Sequence, residues 1–134
     1  MVKIFIVNTN ISNSPVNELN MLSEEKVAAY YSPWKYSINE MEANDIVYLY
    51  SNGRGIIARG IATGIIEKSK DQVEHYMNLD RFEKLKMPLE SSKIVDLARE
   101  VTDEDFKIKW NQTMIHLPNF IGIHIWQSIT HNNL

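Results

Sequence analysis

The stretch running from Asp45 to Ser69 constrains the fold more than any other part of the chain. In Asp45-Ile-Val-Tyr-Leu-Tyr-Ser51, Ile46, Tyr48 and Tyr50 alternate with Val47, Leu49 and Ser51. Apolar side chains in both sets are what a strand buried on both faces requires. Asn52-Gly53-Arg54-Gly55 follows, and its glycines supply the positive φ angles that a tight hairpin needs. The chain then resumes as a long apolar run interrupted by Gly60 and Gly64. A glycine within a strand marks a bend, a bulge or the close approach of another backbone. Two such glycines about one turn of strand apart predict a sheet that curls toward a barrel. Residues 46–51 and 55–67 are therefore expected to be adjacent antiparallel strands joined at Asn52-Gly53.

The remaining segments fit around that hairpin. Residues 2–8 alternate as a first strand and feed a loop rich in Asn, Ser and Pro. Residues 23–31 are expected to be a short helix, with Ser23 as N-cap, Glu24 and Glu25 in its first turn and Pro33 as its stop. Ser37 to Glu40 has capping-box spacing and opens a single turn that buries Ile38 and Met41. Residues 75–82 suggest another strand. Residues 88–101 suggest a helix opened by Ser91 or Ser92, with Ile94, Leu97, Ala98 and Val101 on one face. Phe106, Ile108, Trp110, Gln112 and Met114 alternate as a strand running to Leu117, and a closing helix starts near Asn119. The order β-α-β-β-β-α-β-α predicts an α+β fold. It is a small open β-barrel of five to six strands flanked by helices, one domain spanning residues 1–134.

Composition narrows the partners. With 134 residues, 44% apolar and 23% charged, the chain is long enough to bury a core without staples. It contains no cysteine, so disulfides and thiolate metal sites are excluded. The first apolar run is too short for a leader core or a membrane span, so no membrane role and a cytoplasmic location are expected. Seventeen acids against 14 bases give a formal net charge of −3. Bulk electrostatics of that sign oppose nonspecific nucleic-acid binding, so any such role must come from a local basic pocket.

Catalytic signatures are absent from the sequence. His75, His116, His124 and His131 show neither HxH nor HExxH spacing, so no metal site is expected. There is no nucleophile elbow, P-loop or dinucleotide fingerprint, and no cofactor is expected. The acidic pairs have the spacing of caps and solvated faces. The chain is expected not to be an enzyme.

Met41, Asn44-Asp45, Val47, Tyr50, Gly55-Ile56, Ala58 and Gly60 together carry a family resemblance. They occupy the places of a Met, a tight turn, an alternating aromatic strand, a glycine hairpin and a Gly-Ile-x-Ala-x-Gly strand. The pattern resembles the PUA-like superfamily and, within it, EVE-type domains related to YTH modules. Asn44 stands where the family has glycine, and Asn tolerates left-handed geometry. Tyr31-Ser-Pro-Trp-Lys35 stands where EVE domains carry an Asn-Tyr-Gln-Ala-Arg-like run, so the pocket chemistry differs.

The resemblance implies a binding module that holds a nucleobase, often a modified one, in a concave aromatic-polar pocket. A flipped base needs an aromatic face, amides to read its edge and a cation near its phosphate. Tyr31 and Trp34 would stack, Asn8, Asn10 and Asn52 would read the edge, and Lys35 and Arg54 would meet phosphate. Each has a plainer alternative. A Trp after a helix also caps a core, Tyr30 competes with Tyr31 for the inward position, the asparagines also form loops, and an Arg in a hairpin is often only solvated. Trp110 and Trp126 fit a core role. The expected partner is modified DNA or RNA. The alternative is a protein-interaction or small-ligand regulatory module on the same fold, in a bacterial or phage defence setting.

Overall fold

The computed structural model describes residues 2–9, 11, 14–30, 34–71, 74–102, 107–110 and 112–134, with the side chains of residues 34 and 35 outside that description. Strand β1 (Ile4–Asn8) sends alternate side chains into two separate cores. Phe5 and Val7 join Val27, Val47, Leu49 and Met77 on one side of the sheet. Ile4 and Ile6 join Tyr48, Ile94, Ile121 and Ile125 on the other. A strand in this position has no solvent face, which is why its apolar residues run on without interruption.

After β1 come α1 (Pro15–Glu24), β2 (Lys26–Ala29), a short 3-10 helix (Trp34–Glu40), β3 (Ile46–Ser51), β4 (Gly55–Ala62), β5 (Glu67–Lys68), β6 (His75–Leu89), α2 (Ser91–Val101), β7 (Met114–Leu117) and α3 (Asn119–Asn132). The strands lie in the order β2-β6-β4-β3-β1-β7, with β5 attached to β6 off this path. β1 and β3 run parallel, and the other described pairings are antiparallel. The mixed sheet curls into a half-barrel with three helices, the α+β open barrel expected from the glycine pattern.

The hairpin forms as its turn chemistry dictates. Gly53 and Gly55 have φ of 85° and 113°, and β3 pairs with β4 from Ile46↔Ile61 to Ser51↔Gly55. At Gly60 the register against β6 shifts, and a Cβ there would lie 2.8 Å from the Leu79 Cβ. That is a bulge combined with a close approach. The strand ends at Ala62 rather than residue 67, because Gly64 turns the chain at a φ of 82° before β5 begins. Asn44 adopts a φ of 76°, the left-handed geometry its side chain tolerates.

Four expectations need correction here. The helix expected over residues 23–31 ends at Glu24, and residues 25–30 are not helical. Pro15 starts α1 eight residues earlier, with its φ already set for a first helical turn, and Glu25 ends it in left-handed geometry. Ser23 lies in the last turn of α1, and Lys26–Ala29 becomes a strand because it pairs with residues 75–78 of β6. Residues 107–110 are not a strand. Gln112 N–H turns back to the Lys109 carbonyl (3.1 Å), which leaves Met114–Leu117 as β7. Helix α2 has Glu90 at its N-cap, so Ser91 is its first helical residue and not the cap. Strand β6 also runs on through Leu89, well past residue 82.

Helix α3 lies against the sheet through two close contacts. Tyr48 is fully buried and its hydroxyl donates to the Gly122 carbonyl (2.6 Å), while a Cβ on Gly122 would come within 2.4 Å of Ile4. Arg59, also buried, donates to Glu83, to the Trp126 carbonyl and to the Thr130 hydroxyl, with its guanidinium 3.9 Å from the Trp126 ring centroid. Trp126 and Trp110 are half-buried at the margin of the second core, Trp110 stacking on Tyr50 at 4.5 Å.

Candidate functional site

The residues proposed from sequence fall into two places. Asn8 ends β1 beside the β3–β4 hairpin, and its amide donates to the Asn52 side-chain oxygen (3.3 Å). Arg54 lies on the same hairpin, where its Nε donates to the Ser51 hydroxyl (3.3 Å). Asn8, Asn52 and Arg54 therefore share one end of the sheet. The Arg54 charge is already employed, because its Nη2 reaches the Glu18 Oε2 (2.5 Å). The other Glu18 oxygen accepts from the Thr9 hydroxyl (2.5 Å). This polar knot ties α1 to the hairpin.

Trp34 and Lys35 begin the short 3-10 helix, which packs against β2 and β6. Ile38 and Met41 are buried beneath it, and the exposed Tyr36 meets His75 of β6 edge-on at 5.2 Å. Asn10 and Tyr31 lie outside the described residues.

A cavity of about 420 Å³ opens over β2 and β6. Its walls are Glu24, Lys26, Lys68, Ser69, Lys70, Glu74, Tyr76 and Asn78. The strand register explains this convergence. Lys26 stands directly opposite Asn78 and so shares the face of Tyr76, while β5, paired to the other edge of β6, brings Lys68, Ser69 and Lys70 to the end of the strand. Lys26 is buried although charged, with its ammonium 2.7 Å from Glu24, 2.5 Å from Glu74 and 4.4 Å from the Tyr76 ring centroid. Burial pushes its pKa down, but hydrogen bonds to Glu24 and Glu74 outweigh that and leave it above the ordinary lysine value. Tyr30 lies behind this cluster with a buried hydroxyl. Its pKa is driven well above the usual tyrosine range by burial and then by the Glu74 and Glu24 charges.

Lys68 and Lys70 form no ion pair among the described residues, and the Asn78 amide has no hydrogen-bond partner there. Three lysines against two glutamates make the cavity locally positive on a chain of net charge −3. Such a site offers exposed cations for an anionic group and an exposed amide for a planar polar edge.

The sequence reading did not reach this cavity. Its one signal was the run from Glu74 to Asn78, where Glu74, Tyr76 and Asn78 alternate with His75 and Met77. That alternation puts three polar groups on one face of a strand. No group of three His, Asp or Glu able to hold a metal occurs among the described residues, and no described helix is long and apolar enough to cross a membrane.

No family model matches the chain, and no curated protein matches it. Among the solved structures that share its fold are two from one protein. One is the ASCH protein of Zymomonas mobilis, with a TM-score of 0.62 at 9% identity over 98% of this chain and 96% of that one. The other is a tyrosine-to-phenylalanine mutant of the Zymomonas mobilis ASCH protein, with a TM-score of 0.61 at 8% identity over 98% and 99%. Identities this low carry the fold alone, and they do not single out the EVE branch. The curled half-barrel has the fold of these two ASCH structures.

Proposed function

We propose that this chain is a non-catalytic module that binds nucleic acid locally, taking one extruded or modified nucleobase at the cavity over β2 and β6. The observation that carries the reading is the pair Lys68 and Lys70, in no ion pair among the described residues of an acidic chain, beside the exposed Asn78 amide. Lys68 and Lys70 would meet phosphate and Asn78 would read the base edge. Tyr76, in the cavity wall, offers the aromatic face for stacking, and Trp34, which opens the short helix beside β2 and β6, is the second candidate. The PUA-like fold supports the reading, since EVE and YTH domains, which the sequence resembles, hold nucleobases. Lys26 favours binding over chemistry. A nucleophilic or general-base lysine needs a lowered pKa, whereas this one is raised and keeps its proton.

The test is a titration of labelled single-stranded RNA and DNA against the wild type and a Lys68→Glu/Lys70→Glu variant. The variant should bind at least about tenfold more weakly. The wild type should lose affinity with salt at a shallow logarithmic slope of about −1.4, as for two phosphate contacts to a single strand. Equal binding by the two proteins overturns the assignment. Recovery of a nucleotide of altered mass overturns its non-catalytic part.

A second reading, a regulatory module for a free small ligand, is favoured by the small volume and few cations of the cavity. Under that reading a mononucleotide binds as tightly as an oligonucleotide.

A further inference from the structure

The loop joining β4 to β5 carries two adjacent exposed isoleucines, Ile65 (62% exposed) and Ile66 (41%). Scattered apolar surface residues need no explanation, but these are held in a built position. Gly64 is at a φ of 82°, with its Cα face so close to Ala43 that a Cβ would lie 2.8 Å from the Ala43 nitrogen. On the other side of that contact the Asn44 N–H donates to the Ala62 carbonyl (2.9 Å). The Ile65 N–H turns in toward the Thr63 hydroxyl (3.3 Å). Immediately after the pair, Glu67 and Lys68 are fixed to β6, and Lys68, Ser69 and Lys70 line the cavity.

We propose that Ile65 and Ile66 are a wedge for a nucleic-acid duplex, inserted at a base step while the neighbouring base enters the cavity. The proposal rests on the base-binding reading above and extends it from a single strand to a duplex with a weak pair. Spacing supports it. Two residues of chain span at most about 7 Å, so Ile66 lies within that distance of Lys68 measured along the backbone. A base step is about 3.4 Å, and a step opened by an inserted side chain is roughly twice that. Along the chain, the wedge and the first cavity lysine are thus at most about one opened step apart. Composition supports it as well. Large aliphatic side chains with lysines close behind them, here Lys68 and Lys70 after Glu67, are used by proteins that unstack DNA steps while holding the flanking phosphates. The concave cavity beside them gives the displaced base somewhere to go, and extrusion is easiest where pairing is already weak.

The experiment uses short duplexes carrying 2-aminopurine, whose fluorescence is quenched while it is stacked, either fully paired or at a mismatch. Single strands of the same sequence and anionic lipid vesicles are tested in parallel. The proteins are wild type and Ile65→Ser/Ile66→Ser, a change at exposed positions whose melting temperature is checked first. Wild type should bind the mismatched duplex roughly tenfold more tightly than the paired one, with a rise in fluorescence. The serine variant should lose both effects while its single-strand affinity stays within about twofold. A wild type that binds single strands but gives no rise on the mismatched duplex overturns the wedge and leaves the base-binding reading standing. So does a serine variant that keeps the full rise. Wild type binding neither strand nor duplex overturns both. Vesicle binding that depends on the isoleucines, without duplex binding, also overturns the wedge and assigns the pair to a membrane surface.

Discussion

Arg54 reaches across from the β3–β4 hairpin to Glu18 of α1, and the carboxylate it meets is only 3% exposed. The two partners are unequal, since about half of the Arg54 side chain faces solvent. Removing the arginine strands a buried charge, whereas neutralising the glutamate releases an arginine into water. Arg54→Ala should therefore lower stability by roughly 1–3 kcal/mol, and Glu18→Gln by less, about 1 kcal/mol or under. Urea unfolding of the two variants and of the double variant checks this. Equal losses would mean that the pair is not seated as described.

The hairpin makes a sharper demand at Gly55. A Cβ there would lie 2.1 Å from the Leu89 carbonyl oxygen, a backbone atom that no side-chain rotation moves aside. The φ of 113° adds strain of about 1–3 kcal/mol for any other residue. Gly55→Ala should fail to fold or should melt far below the wild type. Gly53→Ala, at a φ of 85° with open space around it, should suffer only the backbone strain. Circular dichroism melts of the two variants separate them, and similar melting points would contradict the close packing of β4 on the end of β6.

Alkaline pH should destabilise the protein through three groups. Burial raises the Tyr48 hydroxyl pKa far above its ordinary 10.0, although the Arg59 charge lowers it in part. Burial likewise raises Tyr30, and Lys26 is raised above 10.5 by its glutamates despite burial. Each group holds its proton more tightly folded than unfolded. Their stabilisation is complete below the ordinary values and is lost as pH rises above about 10 toward the folded ones. Urea midpoints should be flat in this respect from pH 7 to 9 and fall steeply above 10. Tyr48→Phe should lose about 1 kcal/mol at neutral pH with its hydrogen bond to Gly122. The same variant should also show a shallower alkaline limb. A limb of unchanged slope would exclude Tyr48 as a contributor.

What could be read from the sequence follows the range of the interactions involved. The β3–β4 hairpin, the left-handed Asn44 and the bulge at Gly60 rest on local chemistry of turns and glycines, and all three are present. Strand β2 was hidden because Lys26–Ala29 is extended only through pairing with residues almost fifty positions later, while its alanines and preceding glutamates favour a helix locally. At the site, Asn8, Asn52 and Arg54 converge because a strand end and a hairpin tip are neighbours in any such sheet. Glu18 and Lys26 were invisible for one shared reason. A charged residue is read as surface unless its partner is known, and both partners are supplied by the tertiary fold.

Trp34 joins the sequence argument to the cavity. Its backbone opens the short helix that lies on β2 and β6, the strands that carry Lys26, Tyr76 and Asn78. Its side chain lies outside the described residues, so two roles make opposite forecasts. As a stacking platform it contributes roughly 1–3 kcal/mol per base. Trp34→Ala would then weaken oligonucleotide binding about 5- to 150-fold and leave the melting temperature near that of the wild type. As a core residue it would cost roughly 3–5 kcal/mol of stability, and binding would fall only as far as the protein unfolds. We expect the first outcome, because Pro33 precedes the residue and fixes the approach of the chain, and the 3-10 helix anchored by Ile38 follows it. Melting temperature and affinity measured on the same preparation separate the two. A strongly destabilised variant removes Trp34 from the site, and so does a stable one that binds normally.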